Sequence, residues 1–129
     1  MIMEAAMGGE LLEFLKVKDK MPEKQARHII LQVIQAMLYC HSRGVVHRDL
    51  KLENVIFRHQ NYEEDDYFVK IIDFGIAGMA NDKVDAGTLS YMAPECLEKT
   101  AADTTPAIDV WAIGVMWYAM VFGTLPFNS

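Results

Sequence analysis

Apolar side chains recur at intervals of three and four from Ala26 through Ile29, Ile30, Val33, Ile34, Met37 and Leu38, and the pattern stops at Gly44. That spacing predicts one amphipathic helix, with Pro22 in its first turn, where a missing N–H costs little, and glycine at its end. A shorter helix is predicted from Glu10 to Lys18, on Leu11, Leu12 and Leu15. It follows Gly8-Gly9, which breaks a segment, Met1 to Ala6, that reads as the end of a buried strand. Short β-like runs come after the long helix: Val45-Val46, Val55 to Phe57 and Phe68 to Ile72. Between the last two, RHQNYEEDDY gathers Glu63, Glu64, Asp65 and Asp66 and reads as a solvated hairpin loop. Residues 75 to 107 contain Gly75, Gly78, Gly87, Pro94 and Pro106 with little periodicity, which predicts loop with short helical turns. A loop that long in a compact domain is usually functional. The stretch Asp109 to Phe122 is apolar on every side and holds Trp111 and Trp117, the pattern of a helix running through a core. No internal repeat or low-complexity segment is present.

Composition narrows the class. A chain of 129 residues fits one domain or part of one, and 52% hydrophobic with 23% charged residues is a globular balance. The net charge of −6, from 12 Lys and Arg against 18 Asp and Glu, argues against a nucleic-acid footprint and for a basic partner or substrate. Cys40 and Cys96 have neither the number nor the spacing of a disulfide framework, and Cys40-His41 lacks zinc-ligand spacing, so a reducing compartment is expected. The most apolar run, Val110 to Phe122, is well short of the ~20 residues that span a bilayer, and no basic segment precedes a hydrophobic signal core. The expectation is a soluble, cytoplasmic chain without a membrane partner, the nucleus not excluded. Its first residues, Met-Ile-Met-Glu, offer no cap or turn signal, as though the chain begins inside an element.

The densest chemistry lies at residues 47 to 54, HRDLKLEN, where His47, Arg48, Asp49, Lys51, Glu53 and Asn54 surround only two apolar side chains. Taken singly, Asp49 or Asn54 reads as a turn residue bonding its own backbone, and Asp109 as a helix cap. Taken together, HRDLKLEN, DFG at Asp73 to Gly75, APE at Ala93 to Glu95 and DVWAIGV from Asp109 resemble, in this order, the large lobe of eukaryotic protein kinases. The resemblance covers essentially the whole chain. It implies an α+β fold: a mainly α-helical C-terminal lobe with short β-strand pairs around the catalytic loop, the N-terminal lobe being absent. Residues 1–129 are then a partial kinase domain, from the hinge through the central apolar helix of that lobe.

The same resemblance implies ATP and Mg²⁺ as cofactors and a protein Ser or Thr hydroxyl as acceptor. Phosphoryl transfer through a loose transition state demands positioning and charge neutralisation more than covalent help. Asp49 would accept a hydrogen bond from the substrate hydroxyl and aim it at the γ-phosphate. An ordinary carboxylate is a weak base for an alcohol, so orientation is its larger contribution. Lys51 would neutralise charge on the transferring group. Asn54 and Asp73 would hold magnesium, a hard cation that takes oxygen ligands, and Gly75 would let the chain turn away after the ligand. His47 and Phe74 are expected to pack in a hydrophobic stack, and Asp109 to fasten the catalytic-loop backbone as well as cap its helix.

HRDLKxxN and Thr88 in GTLSYMAPE resemble the serine/threonine branch, where that Thr bridges to the catalytic Asp and Lys. Leu52 in KLEN resembles the calcium/calmodulin-dependent and AMP-activated groups. The opening segment looks like the hinge: the Glu4 carbonyl and Ala6 backbone would meet adenine, with Met3 as gatekeeper and Ile56 beneath the ring. Glu10 would reach the ribose or a basic substrate side chain, helped by Glu53, which implies a preference for Arg or Lys before the acceptor. Ala119 stands where several basophilic relatives carry Glu, which makes that preference modest.

The sequence also departs from the family pattern. The activation segment, Ile76 to Met92, has no Ser or Thr before Thr88, and Val84 occupies the usual phosphoacceptor position. Arg48 therefore calls for a permanent carboxylate, for which Asp82 or Asp85 is the candidate. The glycine-rich phosphate loop, the strand Lys and its Glu partner are not in the chain, nor is the Arg partner of Glu95. Little turnover is expected of these 129 residues alone, and uncovered apolar surface on the Asp109 to Phe122 helix. The alternative reading is a truncated kinase or pseudokinase that acts as a binding or scaffold module. A small-molecule kinase would not be expected to carry the APE segment with its Thr88 region.

Overall fold

The computed structural model describes residues 9–57, 68–72, 78–79, 89–97 and 105–127. In chain order the elements are α1 (Leu11–Lys18), α2 (Glu23–Ser42), β1 (Val45–Val46), a 3₁₀ turn (Leu52–Asn54), β2 (Val55–Phe57), β3 (Val69–Ile71), β4 (Gly78–Met79), a second 3₁₀ turn (Leu89–Tyr91), α3 (Pro94–Leu97) and α4 (Pro106–Phe122). The molecule is mostly helical, with two small antiparallel strand pairs among the described residues.

α2 and α4 pack against each other and define the core. Ala26, Ile29, Ile30, Val33 and Met37 form the buried face of α2, as the three-and-four spacing requires. Leu38 breaks the expectation, being 63% exposed. It stands one residue beyond Met37, about 100° further round the helix, so burying Met37 turns Leu38 outward. Pro22 precedes the first turn and occupies the cap position. Ala112, Met116 and Met120 from α4 join Leu11 and Leu15 from α1, and Leu50, Leu52, Val55 and Phe57, in one apolar cluster. Phe14 closes it edge-on to Phe57, with ring centroids 5.3 Å apart.

α4 starts at Pro106, three residues before the apolar run that announces it, because proline at the first helical position already has a helical φ. Asp109 is therefore inside the first turn and is not the cap; Thr105 occupies that position. The all-round apolar sequence of α4 buries one face and leaves Val110, Trp117, Tyr118 and Phe122 exposed. A groove of about 350 Å³ runs along that face, lined by Trp117, Tyr118, Val121 and Phe122 with Glu23 and Gly114. Among the described residues no helix is long and apolar enough to cross a membrane. Cys40 and Cys96 are free thiols. Burial pushes both up from the ordinary thiol range, with Asp109 adding to it at Cys40 and Glu95 at Cys96, so both favour the unreactive protonated form.

The strand pairs are set by contacts distant in sequence. β2 pairs with β3 in the register Val55 to Ile71, Ile56 to Lys70 and Phe57 to Val69. β1 pairs with β4, Val45 opposite Met79 and Val46 opposite Gly78. β4 falls within residues read as loop, and two residues carry no periodicity that could announce a strand. Glu10 bridges to Ile56, and the Phe57 N–H donates to the Gly9 carbonyl at 3.0 Å, which brings the start of α1 to the edge of β2.

The α1–α2 connection crosses the end of α4. Asp19 has φ 73° and ψ −56°, and the Lys20 N–H bonds to the Lys18 carbonyl at 2.9 Å, the geometry of a tight γ-turn. The Met21 N–H then reaches the Met120 carbonyl at 2.9 Å. Gly123, left-handed at φ 80°, ends α4 directly beneath this turn, and a Cβ there would lie 2.9 Å from the Asp19 carbonyl oxygen. A Cβ on Gly114, in mid-helix, would meet nothing within 4 Å. Two glycine replacements should therefore act oppositely in chemical denaturation. Gly114→Ala raises stability by about 0.5–1 kcal/mol through helix propensity, and Gly123→Ala lowers it by roughly 1–2 kcal/mol.

Candidate active site

Residues 47 to 54 are held from below by one side chain. The Asp109 carboxylate, 1% exposed, accepts the His47 N–H at 2.8 Å through Oδ2 and the Arg48 N–H at 3.0 Å through Oδ1. His41, in the last turn of α2, brings its Nε2 to the same Oδ2 at 2.8 Å. Three donors converging on one buried carboxylate satisfy it and couple three chain segments. Arg48 adopts φ 77°, a left-handed conformation that a non-glycine residue holds only when its surroundings impose it. The bond from its amide to Asp109 supplies that constraint.

His47 is fully buried. Its Nδ1 accepts the Asp49 N–H at 3.1 Å, and a backbone amide can only donate, so the ring proton sits on Nε2. Nε2 accordingly donates to the Ile72 carbonyl at 3.0 Å. The expected stack of His47 with Phe74 lies outside the described residues; within them, His47 ties residues 47–54 to the end of β3. Asn54, 4% exposed, donates Nδ2 to the Asp49 carbonyl at 2.8 Å, and its own carbonyl accepts the Ile72 N–H at 2.8 Å. Since the Asp49 carbonyl can only accept, the amide nitrogen must face it. Asn54 Oδ1 is thereby left uncommitted among the described residues, and an oxygen donor of this kind suits a hard cation.

Within this frame Lys51 Nζ lies 3.4 Å from Asp49 Oδ2, both side chains mostly but not fully buried. A carboxylate and an ammonium side by side can accept a proton and neutralise anionic charge within one small volume. Glu10 and Ile56, expected at the nucleotide, are brought together by their β-bridge, while Glu53 stands on the 3₁₀ turn close enough to Tyr91 to influence its ionisation. Glu4, Ala6, Asp73 and Thr88 lie outside the described residues, as do Met3, Phe74, Asp82 and Asp85. Ile72, the residue before Asp73 in sequence, is bonded to both His47 and Asn54. Among the described residues no cluster of three or more His, Cys, Asp or Glu side chains could hold a metal on its own.

Two residues of the site carry no obvious signal in the sequence. His41 reads only as part of a Cys-His pair without zinc spacing, yet it lies four residues after the buried Met37, on the inward side of α2. Tyr91, 6% exposed, places its hydroxyl 3.5 Å from the Leu52 N–H, the amide next to Lys51. Burial pushes its phenol up to about 12, against the smaller opposing influence of the Leu52 amide, with Glu53 adding to the rise.

The whole chain, residues 1–129, matches the family model described as protein kinase domain, and the chain belongs to that family. It is 38% identical over 132 residues to the Arabidopsis thaliana SNF1-related protein kinase catalytic subunit alpha KIN12, covering 99% of this chain and 25% of that protein. It is also 38% identical to human NUAK family SNF1-like kinase 1, covering 99% of this chain and 19% of the relative. With rice (Oryza sativa subsp. japonica) CBL-interacting protein kinase 17 the identity is 39%, covering 100% of this chain and 28% of the relative. The chain thus spans about a quarter of the length of the curated relatives it matches. The kinase resemblance, including its AMP-activated-like group, is borne out.

The frame makes two predictions. Asp109→Asn leaves one amide oxygen for three donors and should cost about 2–4 kcal/mol in urea denaturation, whereas His41→Ala removes one donor of three and should cost on the order of 1 kcal/mol. The second concerns Tyr91, whose phenol titrates near 10 when unfolded and is pushed up to about 12 in the fold. Between those values the folded state holds a proton the unfolded state has lost, so stability is full below pH ~10 and falls as pH rises towards ~12. Tyr91→Phe should remove that component, of order 2 kcal/mol, when the two proteins are melted across this range.

Proposed function

We propose that the protein to which this chain belongs transfers the γ-phosphate of ATP to Ser or Thr hydroxyls of proteins, and that these residues form part of the C-terminal lobe of its kinase domain. The observation carrying this reading is the pairing of Asp49 and Lys51 at 3.4 Å on a loop whose backbone is clamped by Asp109. Asp49 accepts the hydrogen bond of the acceptor hydroxyl and holds its oxygen towards the phosphorus. As the new P–O bond forms, the bond from phosphorus to the β-phosphate oxygen breaks and ADP departs. The hydroxyl proton passes late to Asp49 and then to solvent. Lys51 offsets the negative charge of the transferring group, and the Asp49 carboxylate keeps the ammonium in place between turnovers. Asn54 Oδ1 and Asp73 would hold magnesium, which would supply charge neutralisation at the phosphate oxygens.

Thr88 serves as the bridge between Asp49 and Lys51, and Glu4, Ala6 and Ile56 as the adenine contacts. Glu10 and Glu53 supply carboxylates for a basic side chain on the substrate, in keeping with the net charge of −6. The cytoplasm is the proposed location.

The test is phosphate transfer to a peptide library by the natural full-length protein. Asp49→Asn and Asp73→Asn should each lower kcat by roughly 10²–10⁴. Glu10→Gln with Glu53→Gln should raise KM about tenfold for peptides with Arg before the acceptor and leave kcat unchanged. Transfer that survives Asp73→Asn would overturn the site assignment, and a full-length protein without transfer would favour a binding module.

A further inference from the structure

The sheet of β2 and β3 has two unlike faces. Val55 and Phe57 are buried, and Val69 and Ile71 pack against the same apolar cluster, so these side chains turn one face into the core. Side chains alternate along a strand, which puts Ile56 and Lys70 on the other face. The register agrees, since Ile56 stands directly opposite Lys70 and directly opposed residues share a face. On its other side Ile56 bridges to Glu10, which continues the row. This second face therefore presents a carboxylate, an aliphatic side chain and an ammonium in line, each partly buried.

Neighbouring strands lie about 4.8 Å apart, which sets the backbones of Glu10 and Lys70 twice that distance from each other with Ile56 midway. A flat heterocycle resting on Ile56 then has one charged side chain at each edge. Lys70 is the only charged residue of β2 and β3. Its place along the strands assigns it to the base end of the site. The Ile72 N–H bonds to the Asn54 carbonyl and marks the level of the proposed magnesium ligand; Lys70 lies two residues back, roughly 7 Å. Lys51 is already the cation proposed for the phosphates.

We propose that Lys70 is a base contact of the nucleotide site, its ammonium donating a hydrogen bond to N7 of adenine from the side of Ile56 away from Glu10. The inference rests on the proposed reading of Ile56 as the floor beneath adenine, with Glu10 on the ribose or substrate side. An ammonium can only donate, so it needs an acceptor in the plane of the base. The Glu4 and Ala6 backbone takes the edge that carries N1, and N3 lies beside the ribose. N7 is the acceptor left on the far edge.

The experiment uses the natural full-length protein with magnesium present and measures displacement of a fluorescent ATP analogue by ATP and by 7-deaza-ATP, in which a C–H replaces N7. ATP should bind about tenfold more tightly than 7-deaza-ATP. Lys70→Met keeps the apolar stem without the donor; it should weaken ATP by about tenfold, leave 7-deaza-ATP unchanged and so abolish the preference. Lys70→Arg, which can still donate, should keep most of it. A lysine that only braces the sheet, or pairs only with another side chain of the protein, lowers both affinities together when replaced, and that result would overturn the proposal. Equal binding of the two nucleotides to the unmodified protein would overturn it even where Lys70→Met fails to fold. Phosphate transfer measured on the same proteins separates this inference from the reaction. The expected preference without transfer supports the base contact and counts against the reaction, whereas transfer with a preference that Lys70→Met leaves intact does the reverse.

Discussion

The polar loop from His47 to Asn54 hangs on one buried carboxylate. Asp109 takes hydrogen bonds from the amides of His47 and Arg48 and from the His41 ring, and so joins α4, the loop of residues 47–54 and the end of α2 at one point. A backbone that makes an unfavourable left-handed turn at Arg48 needs such an anchor, because no regular hydrogen-bond ladder holds it there. The constraint propagates outward. His47, fixed by its amide, presents Nδ1 to the Asp49 N–H and Nε2 to the Ile72 carbonyl, and Asn54 closes the loop from the other side through the Asp49 carbonyl. Asp49 and Lys51 are thus placed by side chains other than their own, through hydrogen bonds the fold already makes.

The helices serve the same end. α4 carries Asp109 near its start, and the contact of Met21 with Met120 ties its far end to the α1–α2 connection. Gly123 allows the close approach there because it has no Cβ and tolerates the left-handed conformation. The core between α2 and α4 therefore sets the distance from His41 to Asp109 as well as stabilising the molecule.

Much of this was legible beforehand. Periodicity identified α1, α2 and α4, and the short β-like runs matched β1, β2 and β3, because each buries a face or a side chain and so leaves an apolar signature. HRDLKLEN announced Asp49, Lys51 and Asn54 through the density of polar groups and the order of the motifs around it. β4 was not legible, since two residues are too short for any period and the strand exists only through its pairing with β1. Nor was the start of α4, where Pro106 precedes the apolar run, or the outward turn of Leu38, which depends on the rotation of α2 against α4. His41 and Tyr91 escaped because a lone His or Tyr has no pattern; their roles come from what lies opposite them.

By itself the sequence determined the helices, the apolar faces that pack them, and the residue types available for phosphate chemistry, since propensity, periodicity and side-chain chemistry are local properties. Only the tertiary structure decided that Asp109 is an anchor and not a cap, that the His47 ring carries its proton on Nε2, and that Asn54 turns its amide nitrogen to Asp49 and keeps Oδ1 for another partner. The bonds of Asp109 and of the His47 ring to Ile72 join residues 25 to 68 positions apart, and the short-range bonds of Asp49 to His47 and Asn54 form on a loop whose course those distant contacts fix, which no local rule encodes.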